Sequence, residues 1–187
     1  SMVAQYIRSL GYKAIPMGND TALSVPIAVD AGLGELGRNG LMITPKFGPR
    51  VRLCKVITDL PLEPDEPIDL GVQKFCEDCK KCAKECPSNA ITDGDRKEWT
   101  DEISSGRGLM KWPIDPKKCY HFWLSSGVTC SNCIASCPYN KPDTAIHSFA
   151  KWSIKNIPVF NKFWIWLDEA MGYGKQLKPE DYWKEVA

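Results

Sequence analysis

The sequence predicts an α+β chain in three successive blocks, and three observations predict it. Short segments of helical and strand period alternate over residues 1–70, eight of the nine cysteines fall between Cys76 and Cys137, and an apolar helical period runs on from Asp143. A chain of 187 residues that is 43% hydrophobic and 25% charged can bury one core comfortably, which excludes a disordered polymer. The expected blocks are residues 1–70, 71–142 and 143–187.

In the first block, Val3, Ile7 and Leu10 fall on one helical face and Gly11 follows as a stop. Tyr12 to Pro16 reads as a short strand, and Pro26 to Leu33 as a helix closed by Gly34. Leu41 to Thr44 and Val51 to Thr58 read as strands, with Val51 and Leu53 alternating against Arg50 and Arg52, so the two arginines share a face. Cys54, inside that second strand, is expected to be a small buried hydrophobe, with a role near a cofactor as the alternative. Asp59 to Leu70 carries three prolines and five acidic residues, the composition of an extended surface linker, and Gly71 marks the boundary.

The second block holds the chemistry. Cys76, Cys79, Cys82 and Cys86 form C-x-x-C-x-x-C-x-x-x-C-P, echoed by C-x-x-C-x-x-x-C-P at Cys130, Cys133 and Cys137, with Cys119 supplying a further thiol upstream. Thiols at every third residue are too tightly packed for mutual pairing, which weighs against a disulfide framework. Zinc also uses C-x-x-C pairs, but a third cysteine at the same interval and the C-P ending favour iron and sulfide. In the bacterial two-cluster ferredoxin-like pattern the last cysteine of each run reaches the other cluster. The expected sets are therefore Cys76, Cys79, Cys82 and Cys137 for one [4Fe-4S] cluster, and Cys86, Cys119, Cys130 and Cys133 for the other.

In the third block Ile146, Phe149, Ala150, Ile154 and Ile157 keep a 3.6-residue period, and Phe160 to Met171 continues after Pro158. Nine of the 19 aromatic residues lie from Asp143 onward; core packing is the expectation, a docking surface the alternative.

Other classes fall away. With 24 basic against 23 acidic residues, a net charge of +1 gives no field of the kind that holds nucleic acid. The longest stretch without Asp, Glu, Lys or Arg, Cys119 to Asn140, contains four cysteines and is no bilayer span; Ser1 to Leu10 shows no export signal. His121 and His147 read as surface groups or as groups supporting the cysteines, and no hydrolase or phosphate-loop motif is present. Two fully ligated clusters carry single electrons but leave no open iron for a substrate, so another group must use the electrons. The glycine-dense run Asp30 to Gly40 precedes a strand, the wrong order for a dinucleotide fingerprint; it is either a plain loop or a place where backbone approaches a bulky ligand.

At this point the sequence resembles a known family. S-V-P-I-A-V-D-A-G-L-G-E-L-G-R-N-G-L-M-I-T-P-K-F-G-P-R-V-R (Ser24 to Arg52), K-V-I-T-D-L-P-L (Lys55 to Leu62), the doubled cysteine motif ending C-P-Y-N-K-P and G-Y-G-K-Q (Gly172 to Gln176) are similar to the C-terminal part of a respiratory corrinoid/iron–sulfur reductive dehalogenase. Epoxyqueuosine reductase is more distantly similar in the A-G-L-G, T-D-L-P-L and C-P-Y-N regions. The resemblance implies that residues 1–70 are the C-terminal portion of a nitroreductase-like cobalamin-binding domain, 71–142 a two-[4Fe-4S] ferredoxin-like domain and 143–187 a helical, aromatic-rich tail. It implies an oxidoreductase that reduces a carbon–halogen bond of a chlorinated hydrocarbon, a chlorinated ethene, in anaerobic respiration, electrons passing through the two clusters to a corrinoid. It implies a small halogenated substrate, a small membrane anchor subunit and a respiratory electron donor as partners, no nucleic acid, and a peripheral place on the outer face of the cytoplasmic membrane.

By the same resemblance Arg38 is the cation that assists a tyrosine acid, with Arg50 as the alternative, and Gly32, Gly34, Gly37, Asn39 and Thr44 line the corrinoid. The plain alternative for Arg38 is an ion pair with Glu35 or Asp30. The chain departs from the family in length: the half that carries the export signal, the tyrosine acid and most corrinoid contacts has no counterpart, so the 187 residues read as a fragment that is inactive alone. Two rivals remain, an epoxyqueuosine reductase acting on tRNA and a two-cluster electron carrier without catalysis of its own.

Overall fold

A computed structural model describes residues 1–19, 21–98 and 108–175. The N-terminal helix α1 (Met2–Ser9) starts where Ser1 Oγ accepts from the Ala4 N–H at 3.4 Å. It ends before Gly11, whose φ of 92° suits only glycine. Its buried face is Ala4 and Ile7; Val3 and Leu10 flank that face and stay about half exposed. Ala4 and Ile7 rest on β1 (Ala14–Met17), forming with Ala14, Val56 and Leu60 a small separate core. Strand β1 starts two residues later than expected and tolerates Pro16 because its sheet has only two strands.

Helix α2 (Ser24–Asp30) also stops earlier than expected, at Gly32 rather than Gly34. Gly32 adopts φ +66°, and a Cβ there would lie 2.5 Å from the Glu66 carbonyl oxygen. The glycine-dense run becomes the turn of a hairpin between β2 (Glu35–Leu36) and β3 (Met42–Ile43). Strand β4 (Lys55–Thr58) pairs antiparallel with β1, Ala14 opposite Thr58, but Val51 to Cys54 carry no regular structure. Cys54 is exposed, correcting the expectation of burial: without a strand there, nothing turns its side chain inward.

Residues 59–70 run without regular structure, as the composition predicts. The cysteine block follows as α3 (Val72–Cys79), α4 (Lys81–Lys84), β5 (Lys97–Glu98) paired with β6 (Met110–Lys111), α5 (Pro116–Ser126) and α6 (Asn132–Ala135). Helix α5 is capped by Asp115, which accepts from the Lys118 N–H at 3.0 Å, and closes at Gly127. The tail is α7 (Ala145–Asn156), a 3-10 turn (Pro158–Phe160) and α8 (Asn161–Ala170).

All three blocks build the main core. Ile43 from the first meets Val72, Phe75, Cys79, Cys137 and Tyr139 from the second and Ile154 from the third. The Glu35 carboxylate stitches the expected boundary by accepting from the backbone N–H groups of Leu70 and Val72 at 2.5 and 3.0 Å. Of the apolar stripe expected to pack, only Ile154 is buried; Ile146 is 73% and Phe149 58% exposed. Helix α7 meets α3 and α8 near Ile154; Phe149 touches only the edge of Trp164, and Ile146 and Ala150 line an open groove beside α8, so the stripe is covered at one end alone.

Candidate metal centres

Helix α3 breaks at Lys80, which takes the left-handed conformation (φ 52°) before α4 begins. That kink turns Cys76, Cys79 and Cys82 toward one cavity, whose wall also includes Cys137, Gly37, Arg38, Asn39, Phe75 and Tyr139. Burial pushes the Cys76 thiol up to about 11, with Arg38 opposing, and Cys79 to about 12. Cys82 and Cys137 are raised further, by burial first; the charges then raising Cys82 are those of Cys76, Cys79 and, from the second run, Cys133, and those raising Cys137 are Cys76, Cys79 and Cys82.

The other four cysteines form a second neighbourhood. Burial raises Cys133 to about 11, and the charges acting on it come from Cys130, Cys86 and Cys119. Cys119 is raised by burial and by Cys86 and Cys130. Cys86 goes the other way: burial pushes it up, but Ser88 and the backbone N–H groups of Ala90, Ser88 and Ile91 outweigh that and leave it below the ordinary thiol value. Ser88 Oγ and the Ala90 N–H each lie 3.4 Å from Cys86 Sγ. The structure thus brings the eight cysteines together as two groups of four, each drawing on both runs.

The chemistry of the donors fits a cluster better than an ion. Four raised thiols around a dry cavity are costly as thiolates until a cationic centre binds them. A single tetrahedral zinc needs sulfurs about 2.3 Å from one point, yet among the described residues no group of three or more Cys, His, Asp or Glu could hold one metal ion.

Arg38 has a different task from the one expected. It is 2% exposed; Nε donates to the Cys76 carbonyl at 3.0 Å and Nη1 to those of Thr92 and Gly94 at 2.9 and 2.8 Å. The guanidinium lies over the Trp112 ring, 4.8 Å from its centroid. Within this chain it bonds to carbonyls rather than to Glu35 or Asp30, and it fastens the Cys76 loop to the segment that follows the first cysteine run. Arg50 is exposed and makes one long bond, 3.4 Å, to the Lys141 carbonyl.

The glycine-run residues also separate. Gly37 and Gly40 line an open, mainly apolar cavity of about 490 Å³ with Leu23, Val29, Leu36 and Trp112. Gly32 and Gly34 do not reach it: a Cβ on Gly34 would sit 2.3 Å from the Ile43 carbonyl oxygen, so its small size serves the hairpin. Asn39 accepts from the Leu41 N–H and donates to the Cys133 carbonyl; Thr44 bonds to Gly48 and Phe47 across a turn. Within this chain Gly32, Gly34, Asn39 and Thr44 thus hold the hairpin and its neighbouring turns together.

Sequence reasoning missed three residues. Asp168 of α8 binds Lys81 and, at 2.8 Å, Lys141, all three at most 8% exposed. Lys81 also donates to the Tyr173 carbonyl at 2.9 Å, and Lys141 sits over the Tyr173 ring. Tyr139 is 4% exposed with an unpartnered hydroxyl among the described residues, and Trp112 is buried between the two cavities. Only Tyr139 left a signal, the echo of C-P-S-N by C-P-Y-N. His121 is exposed on α5, and His147 Nδ1 pairs with Thr144 Oγ1 at 2.8 Å. Among the described residues no helix is long and apolar enough to cross a membrane.

Residues 75–141 match the family model of a 4Fe-4S dicluster domain. The chain is 46% identical over 181 residues to the tetrachloroethene reductive dehalogenase of Sulfurospirillum multivorans, covering 97% of this chain and 36% of that protein. A solved structure of a reductive dehalogenase, described with a mechanism for B12-dependent dehalogenation, superposes with a TM-score of 0.81 at 33% identity over 92% of this chain and 25% of that one. The epoxyqueuosine reductase of Lactococcus garvieae is 31% identical over 122 residues, 64% of this chain and 32% of that protein. The chain spans about a third of the length of these relatives.

Proposed function

The chain is homologous to the reductive dehalogenases over nearly its whole length, and from that premise we propose that it is the C-terminal, electron-delivering portion of an enzyme that reduces a carbon–halogen bond of a chlorinated ethene. In this reading residues 71–142 hold two [4Fe-4S] clusters, one on Cys76, Cys79, Cys82 and Cys137 and the other on Cys86, Cys119, Cys130 and Cys133. Residues 1–70 close one side of a nitroreductase-like corrinoid domain, and residues 143–175 brace the cluster domain from outside.

The observation that carries the reading is the juxtaposition of two four-thiol groups with a large apolar cavity, the Arg38–Trp112 contact lying between them. The clusters supply one-electron transfer and a corrinoid in the apolar cavity supplies the bond-breaking chemistry. This chain's own residues do the rest. Gly37 and Gly40 set part of the cavity wall, Leu23, Val29 and Leu36 exclude water, and Arg38 fixes the cluster loop against that wall. Arg50, exposed and carrying one long bond to the Lys141 carbonyl, is the better candidate for a cation beside a proton donor. A membrane anchor subunit, a respiratory electron donor and a place on the outer face of the cytoplasmic membrane complete the reading on family resemblance alone.

The test is an anaerobic assay of the intact parent protein, loaded with iron, sulfide and corrinoid, against tetrachloroethene and an epoxyqueuosine-bearing tRNA stem-loop. Chloride release with the first and no reaction with the second is expected; the 187-residue chain alone releases none. Reduction of epoxyqueuosine without dechlorination, or a parent that binds no corrinoid, overturns the reading.

A further inference from the structure

The two cysteine runs end alike, Cys86-Pro87-Ser88-Asn89 and Cys137-Pro138-Tyr139-Asn140, so the same position after each proline carries a hydroxyl. In the first run that hydroxyl is already at a thiol, Ser88 Oγ lying 3.4 Å from Cys86 Sγ. In the second, the longer side chain stands between the cavity lined by Cys76, Cys79, Cys82 and Cys137 and a groove beside α7 and α8, and forms part of both walls. The Tyr139 ring is fixed there by the edge of Phe75, with centroids 5.6 Å apart and planes at 90°. Its hydroxyl is buried and has no hydrogen-bond partner among the described residues. A phenol so placed is a donor without an acceptor, beside sulfurs that receive backbone N–H groups, of Arg38 at Cys76, Lys81 at Cys79 and Tyr139 at Cys137, and can accept a further donor.

We propose that Tyr139 donates its phenolic hydrogen to a sulfur of the cluster held by Cys76, Cys79, Cys82 and Cys137, and that this bond raises the reduction potential of that cluster relative to the other. The proposal rests on the two-cluster reading. Reduction adds negative charge to the sulfurs, so a donor aimed at them strengthens on reduction and stabilises the reduced state. A serine near its own run's thiol serves the second cluster less, because none of that cluster's four cysteines is fully buried and water competes for the sulfurs.

The experiment is a redox titration of the loaded parent enzyme and its Tyr139→Phe variant, followed by electron paramagnetic resonance, with iron and sulfide counted in each. Phenylalanine keeps the contact with Phe75 and removes only the hydroxyl. A fall of about tenfold in the reduction equilibrium of one cluster, about 59 mV for a one-electron couple, is expected, with the other cluster unmoved. Loss of one exchangeable deuteron coupling from the reduced cluster in heavy water accompanies it. Unchanged potential and coupling overturn the proposal, whereas an iron count short of two clusters in the unsubstituted enzyme overturns the two-cluster reading instead. Should the variant fail to assemble, replacing tyrosine by 3-fluorotyrosine decides: a more acidic phenol raises the potential of that cluster alone, and no movement sinks the idea.

Discussion

The two four-thiol groups share a motif and differ in their surroundings. One is dry: Cys79 and Cys137 are buried in the main core, Arg38 grips the backbone of Cys76, and the Lys81–Asp168–Lys141 network closes the far side. The other is half-exposed at all four cysteines, lies next to α5, which buries no residue at all, and relies on Ser88 and backbone N–H groups. The difference teaches that repetition in sequence fixes the ligand pattern, while the charge and water around each site come from elements distant in sequence. A buried cluster flanked by fixed cations favours its reduced state more than an exposed one does.

The largest break in this comparison comes from removing the cysteine that crosses between the runs. Cys137→Ala is expected to abolish the dry cluster, which shares no sequence run with Cys137, and to spare the one beside it. Iron analysis would give about half the wild-type content, and electron paramagnetic resonance would retain one signal. Loss of the exposed cluster instead would show that each run serves itself.

Next in size is Asp168→Asn, which leaves Lys81 and Lys141 buried without a counter-charge. Breaking a buried ion network by removing one partner costs about 3–5 kcal/mol, so chemical denaturation under anaerobic conditions should show a loss in that range. Because Lys81 lies inside the first cysteine run, the dry cluster should be lost earlier in the titration than the exposed one. Equal loss of both clusters would mean that α8 steadies the domain as a whole.

What the sequence made legible follows the range of the interactions concerned. The α1 helix with its Gly11 stop, the extended acidic linker, and the doubled cysteine spacing depend on neighbours a few residues apart, and all were readable. The contacts of Arg38 were not, because they depend on carbonyls 38 to 56 residues away, and the family resemblance pointed to a cation beside a tyrosine acid instead. The Asp168 network joins α8 to lysines in both cysteine runs, and no periodicity announces such a contact. The α7 stripe failed for a related reason: a helical period marks an apolar face but does not say how much of it a partner covers, and of the stripe only Ile154 is buried.

The smallest effect sharpens the comparison at the exposed site. Cys86 is the one ligand thiol held below its ordinary value, and among the causes that lower it the Ser88 hydroxyl comes first. In the cluster-free chain, a lowered value means more thiolate at neutral pH, and thiolate is the species that reacts with alkylating agents. Ser88→Ala removes that hydroxyl and keeps the backbone N–H donors, so the Cys86 value should rise part of the way back. Its alkylation rate at pH 7 should fall by a few-fold, and its pH profile should move to higher pH, while the raised, buried Cys79 remains slow in both proteins. An unchanged Cys86 profile would assign the lowering to the backbone of the C-P turn, and the difference between the two sites would then reside in burial alone.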